Sequence, residues 1–257
     1  MKRCLLHSAT LMFAMALTQT ALGNKDYEAK AFTSEDGKTL NYRIHSPTPL
    51  NRSTEYPLVI VLHGAGERGK DNARQLVHGG KDIVAYSKKA NKPAFIVFPQ
   101  CPHKQQWVNT PWGDLEHTMP ENPSDSMALV LQLIDKLRKD LPVDEKQILV
   151  AGLSMGGFGT WDIIQRKPDL FAAALPICGG GDTAEAAKIK DIPIWVVHGA
   201  NDRVVKTKRS RDMVKALKDA GGEPIYTEYE GVAHNSWSKT FANDKVWEWF
   251  FSQKKSK

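Results

Sequence analysis

Ser154 stands in the string Gly152-Leu153-Ser154-Met155-Gly156-Gly157, directly after the apolar run Gln147 to Ala151 and directly before a helically periodic segment that reaches Lys167. A serine at the tip of a strand-to-helix turn takes a strained backbone conformation, and side chains two positions to either side would strike neighbouring backbone. Gly152 and Gly156 remove those side chains. The turn sets the hydroxyl at the start of a helix, where backbone N–H groups and the dipole favour negative charge on oxygen. Such a serine is suited to nucleophilic attack if a base and an orienting carboxylate accompany it. Asp202 lies in a turn just past the apolar run Pro193 to Val197, and His234 lies in a turn just past Ile225 to Tyr229. Together the three residues have the types needed for acyl transfer. His63 and His198 are rival bases, but each is followed by glycine at a strand end and reads as structural.

The elements that must position these groups follow from periodicity. Leu58 to Leu62 is a continuous apolar run, which fits a central parallel strand buried on both faces. Ala94 to Phe98 and Ala172 to Ile177 read the same way. Ala29 to Thr33 and Leu40 to Ile44, joined by the turn Glu35-Asp36-Gly37-Lys38, predict an antiparallel hairpin at the sheet edge. Helices are expected over 73–90 with an interruption at Gly79-Gly80, over 124–141 with Ser124 or Asp125 as cap, over 208–220, and over 236–251 as one terminal helix. Residues 101–123 carry four prolines and no periodicity. This loop leaves the C-terminal end of a strand, so Trp107 and Trp112 either offer aromatic surface to a substrate or fill a small core of the loop. Trp237, three residues after His234, either walls the pocket or packs under the histidine turn. Gly179-Gly180-Gly181-Asp182 reads as a flexible exit from its strand, and the short link 179–192 leaves no room for a lid.

The order Ser154, Asp202, His234 is that of the α/β-hydrolase fold. The chain resembles its esterase branch known as "predicted peptidase" or phospholipase/carboxylesterase, near feruloyl and acetyl-xylan esterases and dienelactone hydrolases. Besides the three turns, the resemblance rests on His63-Gly64-Ala65-Gly66-Glu67-Arg68-Gly69 with Asp71-Asn72, on Pro99-Gln100-Cys101-Pro102, and on Pro176 to Asp182. It implies a mostly parallel sheet with helices on both faces and an antiparallel N-terminal edge, to which the short 179–192 link adds the expectation of no inserted lid. It implies Ser154 as nucleophile, His234 as base and Asp202 as its orienting acid. The oxyanion hole would be the backbone N–H groups of Ala65 and Met155, with Gly66 the next candidate. Glu67, Arg68 and Asp71 form a charged cluster straight after that loop, which either braces it through ion pairing or touches a substrate, bracing being the favoured role. No cofactor and no metal are implied, and a dienelactone activity is disfavoured because that family carries cysteine where Ser154 stands.

A chain of 257 residues with 41% hydrophobic content suits one α/β domain, expected over 24–257. The net charge of +6 draws on Lys2, Arg3, Lys254, Lys255 and Lys257 and reads as a solvated basic surface, without a nucleic-acid partner. Lys2-Arg3, the apolar stretch Leu11 to Leu17 and Ala21-Leu22-Gly23 read as a signal peptide over 1–23, too short to span a bilayer. Export without lasting membrane insertion is the expectation. It leaves Cys101 and Cys178 as the cysteine pair, either bridged or as two buried thiols. The whole points to an exported serine esterase acting on a small-molecule or polysaccharide ester, with acetyl or feruloyl esters in view. The alternatives are a serine peptidase of the same fold and a catalytically silent carbohydrate-binding relative.

Overall fold

Leu58, Ile60 and Leu62 belong to one hydrophobic core, Val59 and Val61 to another, and all five are buried. Side chains alternate along a strand, so a strand apolar at every position must be covered on both faces. The computed structural model, which describes residues 25–256, shows how the chain meets that demand. The signal peptide expected over 1–23 lies outside the described residues.

Eight strands form one sheet: β1 (Glu28–Thr33), β2 (Thr39–His45), β3 (Tyr56–Leu62), β4 (Phe95–Pro99), β5 (Val143–Leu153), β6 (Ala173–Ile177), β7 (Trp195–Gly199) and β8 (Ile225–Tyr229). Their order is β1-β2-β4-β3-β5-β6-β7-β8. The β1–β2 and β2–β4 pairs are antiparallel, and every pair from β4 to β8 is parallel. This is the α/β-hydrolase architecture with its antiparallel N-terminal edge. Helices α1 (Gly80–Lys89) and α6 (Asp244–Ser252) cover one face, while α2 (Asp125–Asp140), α3 (Met155–Arg166) and α4 (Lys208–Asp219) cover the other. Among the described residues no helix is long and apolar enough to cross a membrane.

The chain leaves β3 toward β4 on one side and returns to β5 on the other. The strand order therefore reverses between β3 and β5, and the crevice beyond their C-terminal ends is where open α/β sheets bind ligands. Leu62 and Gly152 are register partners at that point, so the Gly64 loop and Ser154 emerge side by side.

Several expectations change in detail. The terminal helix is two helices, α5 (Ser236–Phe241) and α6, because Asn243 turns the chain and its side chain accepts the Lys245 N–H as a new cap. Gly179 to Asp182 is buried rather than a flexible exit. A Cβ on Gly179 would overlap the Gly157 backbone, so glycine serves close approach of two chains there. Cys101 and Cys178 are free and buried. They follow β4 and β6, which are separated by β3 and β5, so about 14 Å of sheet lies between them, too far for a disulfide.

The loop over residues 101–123 is tied down by side chains, which take the place of regular secondary structure in satisfying its backbone. Arg166 donates to the Pro120 and Glu121 carbonyls, Arg68 to that of Gln105, and Asp182 accepts the Met119 N–H. Ser124 is the cap of α2, accepting the Met127 N–H while its hydroxyl donates to the Trp107 carbonyl. Ser124→Ala removes both bonds. It should cost about 1–2 kcal/mol of folding stability, read as a lower urea midpoint.

Candidate active site

Ser154 has φ 53° and ψ −118°, a conformation that side-chain-bearing residues rarely adopt. A Cβ on Gly156 would overlap the Leu62 carbonyl, and one on Gly152 would overlap the Gly156 carbonyl. The two glycines therefore let β5 turn into α3 directly against β3. The Ser154 N–H is donated to the Ile177 carbonyl at 2.9 Å, which fixes the turn from the β6 side.

Three separate turns converge on the hydroxyl. His234 Nε2 is 2.9 Å from Ser154 Oγ, and His234 Nδ1 is 2.7 Å from Asp202 Oδ2. Asp202 Oδ1 accepts the N–H groups of Val204 and Val205 at 2.8 and 3.0 Å. The Asp202 side chain is fully buried, whereas that of His234 keeps 20% of its surface exposed. Burial alone raises the carboxyl pKa, but hydrogen bonds from His198 and His234 overcome it and hold Asp202 well below the ordinary carboxylate range. It stays ionised and accepts a hydrogen bond from Nδ1–H, which leaves Nε2 free to take a proton from the serine.

His198, a rival base in sequence, is fully buried with Nδ1 2.7 Å from Ser210 Oγ. Its Nε2 lies 3.0 Å from the Val205 carbonyl and 3.2 Å from Asp202 Oδ2. It braces the carboxylate from behind and has no path to the serine. His63 likewise is buried, with Nδ1 2.6 Å from the Gly64 carbonyl and Nε2 accepting the Cys101 N–H at 2.9 Å. Desolvation brings its pKa down to about 4, so it is neutral and ties the β3 and β4 loops together.

Ala65 opens a 3-10 turn (Ala65–Glu67) just past β3, and Met155 is the first residue of α3 just past β5. The first N–H groups of such turns have no intrahelical acceptor, so both residues present donors at the ends of adjacent strands. The loop that carries Ala65 is held by side chains. Gln100 donates to the Glu67 carbonyl and to Asp71 Oδ1 and accepts the Asn72 N–H, while Arg68 Nε donates to the Ala65 carbonyl. Arg68 and Asp71 thus brace the loop, and Gln100, which the sequence offered only within Pro99 to Pro102 and without a role, is their partner.

The three tryptophans part company. Trp107, a candidate for the substrate wall, is instead wholly buried, with its indole N–H donating to the His63 carbonyl at 3.0 Å. It fills the core beneath the Gly64 loop and cannot meet a substrate there. Trp112 is half-buried, lies under the Arg68 guanidinium at 5.7 Å, and its indole N–H has no partner among the described residues. Trp237 is half-buried and meets the His234 ring edge-on, with centroids 5.2 Å apart. A further residue missed in sequence is Arg209. It is buried, stacks on Phe158 at 5.3 Å and donates to His117 Nδ1 and, at 3.4 Å, to the Asp114 carbonyl, pinning the 101–123 loop. Burial and then the Arg209 charge lower the pKa of His117 to about 4, so the pair is a cation on a neutral acceptor.

Among the described residues, Cys178, Asp202 and His234 form the one grouping with metal-ligand side chains in reach of one another. Its carboxylate and imidazole are hydrogen-bonded to each other, and burial drives the Cys178 thiol pKa far up, so the thiol stays protonated. The set is arranged for proton transfer, and a thiolate ligand is unfavourable.

The family model described as Phospholipase/Carboxylesterase matches residues 50–246. A bifunctional acetylxylan esterase/xylanase of Neocallimastix patriciarum is 28% identical over 177 residues, 68% of this chain and 24% of that protein. An uncharacterized secreted protein of Arthroderma benhamiae is 26% identical over 260 residues, 86% of this chain and 26% of that protein. The chain thus spans about a quarter of the length of these two curated relatives. Among solved structures, a thermostable esterase is 41% identical with a TM-score of 0.83, over 91% of this chain and 64% of that one.

The neutral, buried His63 makes stability depend on pH. Unfolded, it takes a proton near pH 6.5; folded, only near pH 4. Its contribution is fully present above pH 6.5 and is lost as pH falls from 6.5 toward 4, by on the order of 3 kcal/mol. Urea midpoints measured from pH 7 to pH 4 should fall for the wild type and fall less steeply for His63→Gln; parallel curves would contradict the burial argument.

Proposed function

The chain belongs to the phospholipase/carboxylesterase family of α/β-hydrolase fold enzymes, and on that premise we propose that it is a serine hydrolase that cleaves carboxylic esters through an acyl-enzyme. The observation that carries the proposal is the unbroken relay from Ser154 Oγ to His234 Nε2 at 2.9 Å and from His234 Nδ1 to Asp202 Oδ2 at 2.7 Å. His234 takes the hydroxyl proton as Ser154 Oγ attacks the ester carbonyl, and Asp202 holds the imidazole tautomer and stabilises its positive form. The oxygen of the tetrahedral intermediate accepts from the N–H groups of Ala65 and Met155. The intermediate collapses as His234 passes its proton to the leaving alcohol. Water then attacks the acyl-enzyme with His234 as base, and the acid departs.

The substrate is a small-molecule or polysaccharide ester, with acetyl or feruloyl groups foremost. Support comes from the acetylxylan esterase relative and from the β6–β7 link, which holds only the 3-10 turn Thr183–Ile189 and leaves the mouth without a lid. The protein acts after export as one catalytic domain over 24–257, a reading supported by the pattern of residues 1–23 and by the secreted relative.

The test is hydrolysis of p-nitrophenyl esters from acetate to octanoate, methyl ferulate and acetylated xylan, with fluorophosphonate labelling alongside. Ser154→Ala and His234→Ala should each lower kcat by several orders of magnitude, approaching a million-fold, and Ser154→Ala should abolish labelling. Peptide cleavage with no ester turnover would favour the peptidase; neither turnover nor labelling would favour the silent binding relative.

A further inference from the structure

On the reading of the site as an esterase, His234 hands its proton to the leaving oxygen, so the alcohol portion of the substrate lies on the His234 flank. That flank has a defined wall. Trp237 stands perpendicular to the His234 ring, and the His78 ring tilts onto Trp237 with centroids 5.3 Å apart. His78 Nε2 is 3.7 Å from Glu67 Oε1. Glu67 closes the 3-10 turn that begins at Ala65, and its carboxylate folds back over the Gly64 Cα. The wall therefore joins the base to the Gly64 loop across the mouth.

The Glu67 side chain is only 13% exposed, yet among the described residues its carboxylate accepts no hydrogen bond; the His78 nitrogen lies beyond hydrogen-bond range. No Glu67 oxygen is among the fully buried unpartnered atoms, so both reach solvent, and donors from a ligand would take the place of water there. One hydroxyl seated beside this 3.7 Å pair can hydrogen-bond to both Glu67 Oε1 and His78 Nε2, its two bonds meeting at less than the tetrahedral angle. An alkyl alcohol would leave Glu67 without a donor. The half-exposed indole of Trp237 beside them offers an apolar surface for the C–H groups of a ring.

We propose that Glu67, His78 and Trp237 form a subsite for the alcohol portion of the substrate, and that it takes a hydroxyl-bearing ring of the sugar class. Glu67 and His78 act as specificity-determining residues, apart from the steps made by Ser154, Asp202 and His234.

Partitioning of the acyl-enzyme tests this without knowledge of the natural acyl group. With p-nitrophenyl acetate as donor, water competes with an added alcohol, here xylobiose or 1-propanol at equal hydroxyl concentration. The acceptor oxygen attacks the acyl carbon, the bond from that carbon to Ser154 Oγ breaks, and the acceptor proton passes through His234 to Oγ. Wild type should form acetylated xylobiose about tenfold faster than propyl acetate, the ratio that one hydrogen bond to a charged group supports. Glu67→Gln and Trp237→Ala should each reduce that preference toward unity. Fluorescence titration of Ser154→Ala with xylobiose should saturate, and Glu67→Gln on that background should weaken binding. Equal transfer to both acceptors by the wild type, or a preference that both variants keep, overturns the subsite and leaves the esterase reading intact. No release of p-nitrophenol by the wild type overturns the esterase reading, and the subsite with it.

Discussion

The whole arrangement depends on how closely three backbones approach one another at the end of β5. Ser154 is held in a conformation that costs on the order of 1–3 kcal/mol, and it persists because the surroundings leave the chain no alternative. Gly156 lies against the Leu62 carbonyl, Gly152 against the Gly156 carbonyl, and Gly157 against the Ile177 carbonyl. The strain is local, while the packing that enforces it is shared among β3, β5, β6 and the first turn of α3. One consequence is directional: the serine side chain leaves the turn toward the crevice where the strand order reverses, rather than into either core.

A second dependence is electrostatic. Asp202 is a fully buried carboxylate that accepts hydrogen bonds from two backbone N–H groups and from His234 Nδ1–H, and approaches His198 Nε2. Each donor offsets desolvation, and together they keep the charge on the side chain that has to orient the imidazole. His198 thus helps to hold the Asp202 charge in place, although it does not reach Ser154. The same economy recurs at His63, whose neutral ring links two loop ends without bringing a charge into the core.

Irregular segments do much of the positioning here. The Gly64 loop is held by His63, Gln100 and the indole of Trp107 from beneath, and the 101–123 loop is held by Arg166, Arg209 and Asp182 from the side. Guanidinium groups serve well for this because one planar group can reach several carbonyls at once. Rigidity in these loops comes from long-range donors, so it leaves no periodic trace along the chain.

That difference marks what each level of description can supply. The strand-turn-helix at Ser154, the both-faces-buried β3, the N-terminal hairpin and the order of Ser154, Asp202 and His234 were legible in sequence because each depends on local periodicity or on glycine at fixed offsets. The split of the terminal helix at Asn243 was less so, since one cap competes with a run of good apolar contacts. What only the tertiary structure decided were the relations between side chains far apart in the chain. These include the burial of Trp107 under the Gly64 loop, the thiols of Cys101 and Cys178 kept apart by two intervening strands, the bracing of Asp202 by His198, and the meeting of Glu67, His78 and Trp237 beside His234. The physical reason is that local backbone preference acts over a few residues, whereas burial and hydrogen bonding are settled only when the sheet order brings distant turns to the same end.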